Sequence, residues 1–222
     1  MCGRYTLFTN PILLGKRFNL INLDKIIIRP RYNIAPSQDV VAVISDGREN
    51  RAGMLKWGLV PVWAKDPKIG YKMINARAET VHEKPSYARL LKRRRCLIPA
   101  DGFYEWKKIG SRKQPFHIRL KDGEPFAFAG LWDRWEREGE IIQSCTIITT
   151  EPNELMKDIH NRMPVILKKE HESAWLDPEM TDSNWIKTLL EPYPEDKMRA
   201  EEVSAAVGSP KNDDESLIEP LN

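Results

Sequence analysis

The stretch from Cys96 to Thr149 constrains the fold most. It carries five strand-length runs of apolar, β-branched and aromatic residues in succession, at 96–98, 103–107, 116–120, 126–131 and 141–149. Lys121-Asp122-Gly123 and Glu138-Gly139 sit between runs and read as hairpin turns. No helical period separates these strands, so they are not joined through βαβ crossovers. Residues 39–45 and 51–59 add two more strands, the first followed by a turn at Asp46-Gly47. Helices are predicted at 11–18, with Asn10 or Thr9 as cap, and at 86–94, with Ser86 as cap. Shorter helices are predicted at 153–159, 169–176 and 184–190. The expected class is α+β: one β-rich domain with an antiparallel, barrel-like sheet flanked by short helices.

A chain of 222 residues suits one compact domain. Residues from about 192 onward are polar and acidic, and are expected to pack on that domain or trail from it. Val203 and Val207 could add a short edge strand. No run approaches the ~18 apolar residues of a membrane span, and no charged n-region precedes an apolar h-region. The expectation is a cytoplasmic monomer, without metal or cofactor. Three cysteines, Cys2, Cys96 and Cys145, are too few for a disulfide framework and fit no zinc spacing. Cys96 and Cys145 lie in apolar runs and read as core thiols. The net charge of +3 is uneven: from Glu191 to Asn222 nine acidic residues oppose three basic ones, giving −6 and leaving +9 elsewhere. A basic body suits a polyanion such as nucleic acid, and equally a well-solvated surface.

Cys2 stands apart. It follows Met1 directly, and an initiator methionine is usually trimmed before a small residue. Trimming would leave an α-amine and a thiol on adjacent carbons. Their reference pKa values are about 7.7–8.0 and about 8.5, so both are partly nucleophilic near neutrality. Such a pair condenses with an aldehyde to an imine, which sulfur closes to a five-membered thiazolidine. No internal cysteine can do this.

Three segments set polar groups among apolar ones: Ile74-Asn75-Ala76-Arg77-Ala78-Glu79, Ala100-Asp101-Gly102-Phe103-Tyr104-Glu105-Trp106 and Ile159-His160-Asn161-Arg162-Met163-Pro164. Each offers one candidate catalytic group, Asn75, Glu105 and His160. Arg77 and Arg162 follow two residues after Asn75 and His160, and Arg4 follows Cys2 likewise. In extended backbone such pairs share a face. Judged singly, Asn75 reads equally as a turn cap, Glu105 as the outward residue of a strand, His160 as a helix terminator, and the arginines as surface charges.

Taken together these blocks resemble the SOS response-associated peptidase (SRAP) family. The resemblance rests on Met1-Cys2-Gly3-Arg4, Tyr32-Asn33-Ile34-Ala35-Pro36 and Trp57-Gly58-Leu59-Val60-Pro61-Val62-Trp63. It continues through Asn75-Ala76-Arg77-Ala78-Glu79-Thr80, Pro99-Ala100-Asp101-Gly102-Phe103-Tyr104-Glu105-Trp106 and His160-Asn161-Arg162-Met163-Pro164, with Val203-Ser204 and Val207 late in the chain. It implies a single β-rich domain that binds abasic sites in single-stranded DNA and crosslinks to the sugar aldehyde through its N-terminal cysteine. It also implies a proposed thiol peptidase activity, linked to removal of the first residue. By motif the nucleophile is Cys2 and its helpers are Asn75, Glu105 and His160. Arg4, Arg77 and Arg162 are expected on phosphates, Trp63 and Trp106 stacked on bases, Pro36 as a wedge, and Asn33 in the same DNA-binding surface. Alternatives are a cysteine peptidase or amidohydrolase using Cys2 with His160, and a non-covalent single-strand-binding module.

Overall fold

The computed structural model describes residues 2–221. In chain order it contains β1 (Tyr5–Leu7), α1 (Pro11–Phe18), β2 (Arg31–Ile34), β3 (Asp39–Ser45), β4 (Asn50–Trp57) and β5 (Asn75–Arg77). Then come α2 (Pro85–Arg93), β6 (Arg95–Ala100), β7 (Gly102–Ile109), β8 (Arg112–Leu120), β9 (Phe126–Arg137) and β10 (Glu140–Thr150). The last elements are α3 (Glu154–Lys157), β11 (Met163–Pro164), α4 (Glu172–Leu176), α5 (Ser183–Thr188) and β12 (Met198–Glu202).

Five strands close on themselves. β10 pairs β4, β4 pairs β3, β3 pairs β6, β6 pairs β9, and β9 returns to β10. Closure leaves no open edge in this ring, as a β-rich chain with alternating strands requires. The end of β10 runs on past the ring. There Ile147–Thr149 take β5 in parallel, while Thr149 and Thr150 take β11 antiparallel on the opposite edge. The second sheet has the order β12-β8-β7-β1-β2 and lies against the barrel.

The two sheets meet through aromatic rings. Tyr5 of β1 makes edge contacts with Trp57 at 5.5 Å and with Phe128 at 5.7 Å, and Phe103 of β7 meets Phe128 at 6.2 Å. All four are buried. Because side chains alternate across a strand, Phe103 and Glu105 share the barrel side of β7, while Tyr104 and Trp106 face away from it. Tyr104 and Trp106 pack there with Val203, Val207, Leu217 and Ile218. The segment from Val203 to Ile218 therefore covers the outer face of the second sheet.

Local chemistry explains most helix ends. Asn10 caps α1 by accepting from the Ile12 N–H, Pro11 fills the first turn, and Asn19 ends it in the left-handed region. At α2 the predicted cap shifts: Pro85 opens the helix, so Ser86 lies inside the first turn. Cys96 and Cys145 are buried, as their apolar settings predict. Glu138-Gly139 forms the β9–β10 hairpin, both residues at positive φ. Lys121-Asp122-Gly123 does not form a hairpin, because β8 and β9 belong to different sheets and the turn crosses between them. Val203 precedes the 3-10 turn Ala205–Gly208 and Val207 lies within it, both packing into the tail cluster, while the edge strand itself forms at Met198–Glu202. No helix among the described residues is long and apolar enough to cross a membrane.

His117, on β8, is fully buried against Tyr104 and Thr6 Oγ1, and burial drives its pKa down to about 3. The unfolded chain takes up that proton near pH 6.5, while the folded one resists it. The His117 contribution to stability is thus present above pH 6.5 and is lost as pH falls toward 3. Urea unfolding at pH 7, 5.5 and 4.5 should show stability declining on this limb, less steeply for His117→Gln; equal slopes would show that another group governs it.

Candidate functional site

β1 and β7 bring Cys2 beside Glu105. The β1–β7 ladder runs through Tyr5↔Phe103, and the Tyr104 N–H donates to the Arg4 carbonyl at 3.0 Å, extending the pairing toward the amino terminus. The Glu105 charge acts directly on the Cys2 thiol. His160 comes from the loop before β11, with Nε2 3.9 Å from Glu105 Oε2. Asn75 opens β5 on the other edge of the same end of β10. Its Nδ2 leans on the Ile147 carbonyl at 3.4 Å, and its buried Oδ1 accepts no hydrogen bond among the described residues. Residues 2, 105 and 160, far apart in the chain, thus converge where the second sheet meets the barrel.

Burial sets the charge state of this cluster. Glu105 is 2% exposed, and desolvation raises its carboxyl to about 7. Desolvation also lowers His160. Near neutrality the pair is therefore better described as a neutral histidine facing a carboxyl that burial holds toward its protonated form than as an ion pair. His160 Nδ1 lies 3.1 Å from both the N–H and the carbonyl oxygen of Arg162, which leaves Nε2 as the nitrogen turned toward Glu105. Cys2 is 0% exposed, and its burial, with Glu105 beside it, pushes the thiol well above its usual range.

The arginines divide. Arg77 is exposed on β5. Arg162 is engaged internally: it grips Glu79 with both terminal nitrogens at 2.6 and 3.0 Å, and reaches the Thr149 carbonyl at 2.6 Å. Burial acts to raise Glu79, but the guanidinium overrides it and holds the carboxyl below its ordinary range. His160 and Arg162 are linked through the Arg162 backbone rather than set side by side on a strand. Arg4 donates to Asn33 Oδ1 at 2.8 Å and to the Val207 and Gly208 carbonyls at 2.6 and 3.1 Å. Asn33 is 0% exposed, and its amide donates to the Val207, Ser209 and Asn212 carbonyls. Asn33 is thus engaged in fastening the C-terminal segment. Trp106 is half-buried, and strand alternation turns it to the tail side of β7, away from Glu105.

Pro36 and Trp63 lie on held surface loops. Pro36 is half-exposed in a turn fixed by the Ser37 N–H donating to the Trp57 carbonyl at 2.7 Å. Trp63 is 57% exposed, yet the backbone around it is pinned from β9 and β10. Asp133 accepts from the Val62 N–H at 3.1 Å, Trp135 Nε1 donates to the Ala64 carbonyl at 2.7 Å, and Ser144 Oγ accepts from the Val60 N–H at 2.8 Å. Asp133 is itself held by Arg89 and Arg94. Sequence reading missed Asp133, Glu79 and Thr149. Their partners lie on remote segments, and only the inward position of Asp133 in an otherwise apolar strand hints at its burial. No group of three or more metal-ligating side chains comes together among the described residues.

With this geometry in view, the comparisons decide the family. Residues 1–210 match the family described as SOS response associated peptidase (SRAP). The chain belongs to the SRAP family. It is 54% identical over 222 residues to abasic site processing protein YoqW of Bacillus subtilis (strain 168), covering 99% of each chain. It is 52% identical over 225 residues to abasic site processing protein YoaM of the same organism, covering 100% of this chain and 99% of that one. Among solved structures, a protein from Bacteroides thetaiotaomicron superposes with a TM-score of 0.88 at 29% identity, covering both chains fully. The SRAP fold thus carries the Cys2, Asn75, Glu105 and His160 constellation described above.

The Asn33 clamp can be tested by itself. Asn33→Ala leaves the Arg4 guanidinium and three tail carbonyls short of a partner, and should cost about 1–3 kcal/mol in urea unfolding. Hydrogen exchange should show the loss concentrated in residues 203–219; unchanged protection there would deny Asn33 this role.

Proposed function

We propose that this protein captures abasic sites in single-stranded DNA covalently, through a thiazolidine formed by Cys2 after removal of Met1. The convergence of Cys2, Glu105 and His160 is the observation that supports it most. Membership of a family whose relatives are named for abasic site processing supports the substrate class.

An abasic deoxyribose is mostly a closed hemiacetal, and opening it requires a proton at the ring oxygen. Burial raises the Glu105 carboxyl to about 7, so it keeps that proton closer to neutrality than an exposed acid does. The freed Cys2 amine adds to the aldehyde carbon, and the carbinolamine loses water to give the imine. Neutral His160 takes up the proton released from the anomeric hydroxyl, and later from the adding amine, and passes it to the Glu105 carboxylate, returning each time to its neutral form. The thiol then adds across the C=N bond: sulfur bonds to carbon and the S–H proton ends on nitrogen. The net change is the loss of one water. Closing the ring removes the imine, from which β-elimination would cleave the strand. The raised Cys2 thiol suits this last step, in which a neutral thiol delivers both atoms. It suits peptide hydrolysis poorly, since a peptidase thiolate needs a cationic neighbour that lowers its pKa.

Intact-mass analysis after mixing with an abasic oligonucleotide tests the proposal. A stable adduct is expected at the combined mass minus one water, in protein lacking Met1. Cys2→Ala should give only an imine that borohydride traps; a stable adduct with that variant would overturn the assignment. Glu105→Gln should slow capture at least ~100-fold while leaving DNA affinity nearly unchanged. The rate should rise as the amine deprotonates, with a reference pKa of about 7.7–8.0, and fall as Glu105 loses its proton above about 7. Glu105→Gln should abolish the high-pH fall; a fall that persists would assign it elsewhere.

A further inference from the structure

Apart from the Cys2 cluster, the barrel wall bears a cavity of about 200 Å³ that the chemistry above does not use. Ser37, Lys56, Gly58, Lys68, Tyr71 and Glu140 are among the residues that line it. Its floor is bare backbone. Gly58 has a φ of +132°, and a Cβ there would stand 2.7 Å from the Gly70 carbonyl oxygen; one on Gly70 would stand 2.8 Å from that of Gly58. Only two glycines permit this approach. One wall is the turn bearing Ser37, itself at a φ of 73° and tied to Trp57. The other is the 3-10 turn Pro67–Lys72, capped where Asp66 accepts from the Lys68 N–H at 2.8 Å. Both walls are fixed, and the volume is of the order of a single planar heterocycle.

The chemistry of the lining is specific. Tyr71 is 67% exposed, a large aromatic face left in water at the mouth. Lys56 and Lys68 line the same opening, and Lys65 and Lys72 flank it along the chain. Glu140 is the acidic group of the lining, and it can accept from the amino edge of a base while disfavouring a second phosphate nearby. Two of its lining residues stand near expected DNA-site residues in the chain. Ser37 follows Pro36, and Tyr71 lies four residues before Asn75.

We propose that this cavity is a nucleotide subsite for the single strand flanking the lesion, with a base stacked on Tyr71 and backbone phosphates held by Lys56 and Lys68. The proposal rests on the covalent-capture reading for its strand. Stacking plus point charges reads no sequence, which suits a protein that must bind wherever a base is missing. Rigid walls mean little ordering is required on binding. Trp63, on the pinned loop, would give the strand a second aromatic surface.

The test uses oligonucleotides carrying a tetrahydrofuran abasic analogue, which has no aldehyde and cannot crosslink. One has a single nucleotide on each side, the other arms of about six nucleotides, within the range of single-strand site sizes. Fluorescence anisotropy with the full chain should show Tyr71→Ala weakening the long oligonucleotide about five- to tenfold, as loss of one stacked base predicts, and leaving the short one unchanged. Tyr71→Phe should restore affinity. Lys56→Gln with Lys68→Gln should reduce the salt slope on the long oligonucleotide by about 1–2. Equal binding by all variants, or equal weakening of both lengths, overturns the subsite. If the wild-type protein forms no adduct with a true abasic site while the length-dependent loss persists, the covalent reading fails and the subsite stands.

Discussion

The seam between the second sheet and the barrel carries the rest of the structure. Tyr5 and Phe103 on one side meet Trp57 and Phe128 on the other, each ring buried and set edge to face. Such pairs contribute about 0.5–1.5 kcal/mol each beyond the area they bury. Their larger consequence is positional. Cys2 and Glu105 belong to one sheet, Asn75 and His160 to strands and loops on the barrel, and no shared element joins them. Only the packing of the seam fixes the 3.9 Å separation of Glu105 and His160.

Burial at the seam also sets the chemistry. A carboxyl on an exposed strand would be ionised at neutral pH and unable to donate. Placed on the barrel side of β7, Glu105 keeps its proton to about 7, while His160 beside it is kept neutral. Two groups that would pair as ions in water instead face each other near their points of proton exchange. His117, on the neighbouring strand β8, undergoes the same desolvation: it is sealed from solvent and held neutral as part of the core.

The charge asymmetry of the chain takes on a different meaning in three dimensions. The acidic C-terminal residues are bound to the molecule. Asp213 accepts from Arg31 and from the Tyr32 and Asn33 N–H groups, and Glu201 pairs Arg119 at 2.7 Å. Arg4 and Asn33 tie the same segment down through its carbonyls. The tail neutralises the outer face of the second sheet, and the exposed Arg77 and the lysines of residues 65–72 remain on the barrel side. Exposed basic residues thus accompany Trp63 and Tyr71, which stand in solvent.

What the sequence by itself determined was whatever depends on neighbours in the chain. Alternation and turn residues set most of the long strands, Asn10 and Pro11 set α1, and the motifs around Cys2, Asn75, Glu105 and His160 placed the chain in its family. Strands of two to five residues, such as β1, β5, β11 and β12, carry too little periodicity to be read, and parallel pairing of β10 with β4 and β5 leaves no local trace. The tertiary structure alone decided which arginines stay available, because a guanidinium's partner is chosen by distance in space: Glu79 for Arg162, and tail carbonyls for Arg4. It also decided which face of β7 looks inward. Both faces are covered, one by the barrel and one by the tail, so alternation fixed the pairing of Phe103 with Glu105, and packing fixed the side on which a buried acid would be made.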